Sequence, residues 1–359
     1  MTSRERVLAA MHRTVPDRVP KDMSWGMSPI MKETFYRNTD GTKSPEEYFG
    51  IDVRVMDFSL QPANLSDYAE YFEEYLDNPR FSINPYGVGA ITSEHTDFHF
   101  THMISPLRNA QTINEFIDYK LPDITDERCF SQVAGEIVKV QQNGIAAVGP
   151  EDLSIFELAW YIRGYEEFMM DLMINPDFAD CLLDRILDMR ITIAKKYVDM
   201  GIDVITGGDD VACQRGLLMK HETFLKHLKP RYQKLIEEIK GMKQDTLFFF
   251  HTDGKAHDVI EDLIDVGVDI LNPCQPECND LKEIKRNYGD KLAFWGAIGI
   301  QRLLPFGTPD EIRLEVKSLI ETLGGGGGIL LGPTHVIEPE VPWENLVALY
   351  GAIDEFGAY

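Results

Sequence analysis

His251 and Asp253 stand two residues apart at the end of an apolar run, in LFFFHTDG at 247–254. On an extended strand end that spacing sends both side chains to one side. An imidazole and a carboxylate there can hold a metal ion, orient a substrate or pass a proton. The arrangement recurs downstream. Residues 268–271 end in Asn272-Pro273-Cys274-Gln275, 292–295 in Gly296-Ala297-Ile298-Gly299, and 328–331 in Gly332-Pro333-Thr334-His335. Upstream, 203–206 ends in Gly207-Gly208-Asp209-Asp210, and 53–58 carries Asp57 near its tip. Four catalytic candidates follow: Asp57, Asp210, His251 and His335. Three protein ligands with an open position make a Lewis-acid site, and His251, Asp253, Cys274 and His335 are the residues that could supply them. Zinc accepts such a mixed N/O/S set. Trp25, Asp209, Tyr161 and Gln275 are candidates for substrate contact, with Trp160 beside them.

Each of these groups also has a plain structural use. One member of the Asp209-Asp210 doublet could cap a helix, and His251 and Asp253 could simply bond each other. Aromatic residues such as Trp160 and Tyr161 on helices are ordinary core. His95, Asp97 and His99 lie at period two, on one face of an extended arm; they could converge on a metal or form the wet side of a hairpin. Cys274 and Cys278 flank a proline at a spacing unlike a zinc ribbon, and the five scattered cysteines build no disulfide framework. The glycines at 324–328 lack the Lys-Ser/Thr of a phosphate loop and read as a turn into the next strand.

The elements that must position these tips alternate along the chain. Four successive apolar residues at 247–250 read as a strand buried on both faces, as in a parallel sheet covered by helices. Strands are expected near 21, 53, 145, 203, 247, 269, 292 and 328. Helices are expected between them, at 131–143, 155–170, 176–200, 222–240, 257–266 and 309–323. The N-terminal helix, capped by Thr2 or Ser3, spans about 2–13. Eight strand–helix units predict an α/β fold, a (β/α)8 TIM barrel whose chemistry sits on the loops after the strands. Short alternating segments around Asn84-Pro85-Tyr86-Gly87 predict an antiparallel hairpin inserted near residues 70–110. No linker or charge block divides the chain, so a single domain over 1–359 is expected.

Bulk properties narrow the function classes. A formal net charge of −24 over 359 residues argues against nucleic acid, which needs a concentrated basic face. No apolar run approaches the ~20 residues of a membrane span. The charged N-terminus, MTSRERVLAAMHR, lacks a secretory core. A cytoplasmic enzyme acting on a small molecule is the expectation.

The segments SRERVLAAM and DRVP within 3–20, GGDDVACQRG at 207–216, HTDG at 251–254 and GVDILNPCQP at 267–276 form an ordered set. So do residues 280–311 and THVIEPEVPWEN at 334–345. Together this set resembles the uroporphyrinogen decarboxylase superfamily over nearly the whole chain. The resemblance implies a (β/α)8 barrel and one of two chemistries: decarboxylation of a porphyrinogen, or methyl transfer with a corrinoid protein. Tyr161 in WYIRGY and His335 in THVIEP match substrate-site positions, and Asp57 corresponds to the strand-two aspartate of the decarboxylase. The decarboxylase's arginine-rich segment is replaced here by SWGMSPIMKETFYR at 24–37. Coenzyme M-directed methyltransferases of the superfamily bind zinc through a His-x-Cys pair and a later cysteine. Here Asp253 follows His251 in that pair, and the later position falls near His335. The expected function is therefore a methyltransferase. It would move a methyl group between a small methylated compound, or a folate or thiol, and a methylcobamide-type corrinoid carried by a partner protein. The alternative is a cofactor-free decarboxylase of a pyrrolic or aromatic acid, with Asp57 or Asp210 donating the proton. A third reading is a non-enzymatic tetrapyrrole- or corrinoid-binding protein.

Overall fold

The structure, a computed structural model, describes residues 1–92, 102–150 and 153–359. His95, Asp97 and His99 lie outside the described residues, as do Glu151 and Asp152. Seven strands form one curled parallel sheet in an α/β fold: β1 (Val53–Val55), β2 (Ala146–Gly149), β3 (Val204–Gly208), β4 (Leu247–His251), β5 (Ile270–Asn272), β6 (Ala293–Ile298) and β7 (Ile329–Pro333). They neighbour each other in sequence order. All residues of β2, β5, β6 and β7 are buried, because helices cover the outer face while side chains fill the inner one. That is why these strands are continuous apolar runs rather than alternating ones.

The segment before β1 meets both edges of the sheet. Asp22 N donates to Leu331 O, Leu331 N donates to Pro20 O, and Asp52 N donates to Lys21 O. Lys21 thus bridges in parallel to β7 on one side and bonds the approach to β1 on the other.

Three helix expectations are refined. Helix α1 (Ser3–Met11) starts at a capping box in which Thr2 accepts from Glu5 N and the Glu5 carboxylate accepts from Thr2 N. The long aromatic helix at 155–170 is two helices, α2 (Phe156–Arg163) and α3 (Tyr165–Ile174), broken at Gly164 with φ +98°. The expected helix at 222–240 is likewise two, His221–His227 and Lys229–Met242. Pro230 sits in the first turn of the second, where its missing N–H costs nothing.

Between β1 and β2 the chain forms a three-stranded antiparallel sheet, Phe81–Ile83, Gly89–Ile91 and His102–Ile104. Asn84 Oδ1 accepts from Tyr86 N and Val88 N, closing the turn between its first two strands. The third strand is one more than a hairpin requires. Among the described residues, no helix is long and apolar enough to cross a membrane.

Candidate active site at the strand ends

Three residues from two adjacent strand ends converge. Donor atoms of Asp210, His251 and Asp253 all lie within 4.8 Å of one another. The convergence depends on register: Gly208 at the end of β3 pairs with His251 at the end of β4, and His251 pairs in turn with Asn272 of β5. Gly208 has φ +137°, and a Cβ there would lie 2.1 Å from His251 O. Gly208→Ala should therefore destabilise the protein by at least about 2 kcal/mol and displace His251. Urea denaturation of the variant checks this.

His251 is held on three sides. Its Nδ1 is 2.5 Å from Asn272 Oδ1, its Nε2 lies 3.7 Å from Asp210 Oδ1, and Trp25 meets the ring edge-on at 5.2 Å between centroids. Asp210 Oδ1 also accepts from Asp253 N at 2.7 Å, so the backbone of β4 orients the carboxylate of the β3 loop. Glu157 on α2 completes the scaffold. Its Oε2 accepts from Asp210 N and its Oε1 from the Tyr161 hydroxyl, one helical turn along. Burial, together with the nearby Asp210 and Glu277 charges, pushes the Asp253 carboxyl up to about 6, against the opposing pull of His251.

Asp210, His251 and Glu157 face a cavity of about 400 Å³ lined also by Trp25, Tyr161 and His335, among others, while Asp253 sits behind that lining. Among its described lining residues none is lysine or arginine. Below it the space narrows to an apolar floor of Val55, Val148, Phe249 and Trp295, with one carboxylate, Asp22. Asp22 Oδ2 accepts from Trp295 Nε1 at 2.8 Å and Oδ1 from Met23 N at 2.7 Å. Burial still pushes its pKa up from 3.8 to about 6. A folded-state pKa raised this way contributes stability that is full below about pH 4 and is lost as pH rises through about 6. The loss amounts to about 3 kcal/mol for this group. Asp22→Asn should flatten that fall, so its stability relative to wild type should rise by about this amount between pH 4 and 7.5. Equal differences at the two pH values would contradict it.

The structure brings together Asp210, His251, Asp253, His335, Trp25 and Tyr161. The rings of His251 and His335 are 6.4 Å apart between centroids, as are those of Trp25 and His335. Four assignments need correction. Asp209 is fully buried and faces away from the cavity, where its carboxylate accepts from Ile155 N, Glu157 N and the Tyr232 hydroxyl. It caps α2 and is not among the residues lining the cavity. Gln275 is buried too, and its Oε1 accepts from Gly254 N. Cys274 donates to Leu271 O inside the core, and burial pushes its thiol up to about 12. Cys274 is not among the residues whose donor atoms converge with His251. Asp57 is exposed and is not among the residues lining the cavity; its charge lies near the Tyr197 hydroxyl. Among the described residues the group that could hold a metal is Asp210, His251 and Asp253, without Cys274 or His335, because the β3 and β4 ends are paired neighbours. Two site residues escaped the sequence reading. Glu157 offered only its position four before Tyr161, and Asn272 only its place at a strand tip.

A family profile described as uroporphyrinogen decarboxylase (URO-D) matches residues 104–356. A methylcobamide:CoM methyltransferase, MtaA of Methanosarcina barkeri, is 31% identical over 201 residues, covering 56% of this chain and 56% of that protein. A uroporphyrinogen decarboxylase of Pseudoalteromonas translucida is 27% identical over 184 residues, covering 51% and 50%. The chain thus spans about half the length of each of these curated relatives. Among solved structures, a methyltransferase from Methanosarcina mazei superposes with a TM-score of 0.69 at 22% identity over 99% of both chains, which is a likeness of fold.

Proposed function

Because the chain belongs to the uroporphyrinogen decarboxylase family, we propose that it is the methyltransferase variety of that fold, moving a methyl group between a small methylated compound and a corrinoid held by a partner protein. The observation that carries this reading is the Asp210–His251–Asp253 cluster, two of whose members line a cavity whose described lining has no lysine or arginine. Decarboxylation of a porphyrinogen would bring several carboxylates into that cavity, with no guanidinium to replace their hydration. The methyltransferase relative supports the same choice. The proposal also takes the chain as one domain and the sheet as a closed eight-stranded barrel. Residues 20–22 would be the eighth strand, supported by their hydrogen bonds to Leu331 and Asp52.

The donor set fits a zinc ion. His251 offers an imidazole nitrogen, Asp210 and Asp253 offer carboxylate oxygens, and a fourth position opens to the cavity. Two carboxylates crowded together, one of them pushed up to about 6, form a site that a dication would relieve. Bound there, zinc would polarise the heteroatom that loses or accepts the methyl group. The protein's own groups do the rest. A cation bound beside Asp253 would lower the raised pKa of its carboxyl and so displace the proton it holds below about pH 6. Glu157 fixes the Asp210 backbone, and with it the direction of that carboxylate. Trp25 and Tyr161 wall the substrate and exclude water from the reacting centre. The floor of Val55, Phe249 and Trp295 accepts an apolar substituent.

The test is elemental analysis of the purified protein, paired with an assay of methyl transfer from a panel of methyl ethers, methylamines and methylthiols to cob(I)alamin. About one zinc per chain, removable by chelator with loss of transfer, is expected. Metal-free protein that releases carbon dioxide from a pyrrolic acid would overturn the proposal in favour of a decarboxylase.

A further inference from the structure

We infer that Asn272 is a positioning residue that locks neutral His251 into the tautomer with its proton on Nδ1, so that Nε2 of the neutral ring presents a bare lone pair to the cavity. Donor and acceptor counting forces this. Asn272 Nδ2 lies 2.9 Å from the main-chain oxygen of Trp295, on buried strand β6. A carbonyl oxygen can only accept, so the NH₂ of the amide must face it and the amide oxygen must face the other way. That oxygen lies 2.5 Å from His251 Nδ1. It too can only accept, so Nδ1 carries the hydrogen. A neutral imidazole has one N–H, which leaves Nε2 unprotonated.

The surroundings reinforce the arrangement. Asn272 is buried, and its strand is in register with His251 on one side; on the other, the neighbouring Leu271 pairs with Phe294, the residue before Trp295. Trp295 is fixed in turn by its indole N–H, which donates to Asp22 at the floor. The edge of Trp25 limits rotation of the imidazole. Nε2 points towards Asp210 but stands 3.7 Å from its nearest oxygen, too far for a hydrogen bond. His251 and Asp210 therefore do not share a proton as a donor–acceptor pair. They lie side by side as two electron-pair donors, close enough for one occupant to meet both.

The consequence is a restriction on role. His251 acts as a ligand or a base through Nε2 and does not donate a proton from that atom in its neutral state. This holds whether the shared occupant is a cation or a substrate N–H or O–H. It rests on the active-site assignment above but not on the presence of zinc.

Metal-free protein labelled with ¹⁵N-histidine provides the test. Long-range ¹H–¹⁵N correlation spectra at about pH 8 distinguish a protonated from a bare ring nitrogen, and the His251→Gln spectrum identifies the His251 signals. Wild type should show a single Nδ1–H tautomer for His251. Asn272→Leu, which removes the acceptor at similar volume, should show both tautomers or mainly Nε2–H; Asn272→Asp, which keeps an acceptor towards Nδ1, should retain Nδ1–H. Zinc affinity, read by competition with a chelating dye, should fall 10–100-fold in Asn272→Leu. A wild-type signal from the Nε2–H tautomer overturns the inference by itself, even if no variant folds. A wild type that binds no zinc yet shows Nδ1–H removes the metal from the proposed function and leaves this inference standing.

Discussion

His251→Ala should lower methyl transfer by ~10³-fold or more, because a Lewis-acid site supplies several kcal/mol to the transition state and about 4 kcal/mol corresponds to that factor. Zinc content should fall with it. The side chain is the only nitrogen donor of the cluster, and Asp210 with Asp253 would leave two carboxylates without the imidazole beside them. Stability should fall by about 1–3 kcal/mol, since the buried Asn272 oxygen loses its donor, without loss of the folded state. His335→Ala, whose ring is on the cavity wall but outside the three-residue cluster, should cost less and leave zinc content unchanged. Equal loss of zinc in both variants would mean that His335 is a ligand and the cluster is wrongly drawn. Turnover assays with metal analysis on the same preparations decide between these outcomes.

Asp52→Ala should cost about 3–5 kcal/mol of stability, the loss expected when one partner of a buried ionic network is removed. Asp52 is fully buried just before β1. It accepts from Ser3 Oγ at 2.6 Å, Arg6 at 2.8 Å, both terminal nitrogens of Arg18 at 2.9 Å and Lys21 N at 2.8 Å. Alanine would leave Arg6, itself 7% exposed, with only Asp17 for its charge. The urea midpoint should fall without a change in slope. The exposed pair Lys317–Glu321, 3.9 Å apart, is the control, and Glu321→Ala there should stay within about 0.5 kcal/mol of wild type. An Asp52 variant as stable as that control would mean the network contributes nothing net.

This network gives the N-terminal segments, which lie outside the residues 104–356 that the family profile matches, a structural use. In SRERVLAAM, Arg4 pairs with Asp203 beneath β3, and Arg6 bridges Asp17 and Asp52. In DRVP, Arg18 grips Asp52 from the other side. The two motifs tie helix α1 to the starts of strands far apart in sequence. They belong to the bottom of the sheet, opposite the residues that face substrate.

Much of the architecture was legible because a strand covered on both faces has to be apolar throughout. Residues 247–250 announce themselves for that reason, and so does the abrupt polar tip that follows. Helix 309–323 was legible to the residue from Thr308, Pro309 and Glu311, whose capping box and proline start leave little freedom. Gly164 reads as helix interior in the sequence, since an apolar stretch on either side masks a break that only its positive-φ backbone reveals.

For the site, local sequence determined that polar groups would stand at the strand tips, and that His251 and Asp253 would share a side. It could not say which member of Asp209-Asp210 faces the cavity. Neighbouring residues at a strand end point in opposite directions, and the choice was made by α2, whose free N–H groups take Asp209 and leave Asp210 to the open side. Nor could it bring Asn272 to His251, because parallel strands meet only through the register between segments some twenty residues apart. Cys274 looked like a ligand by composition and became core by position. Residue type is a local property; burial, register and the partner across the strand are set by elements distant in sequence, and in this protein they decided which tip residues became the site.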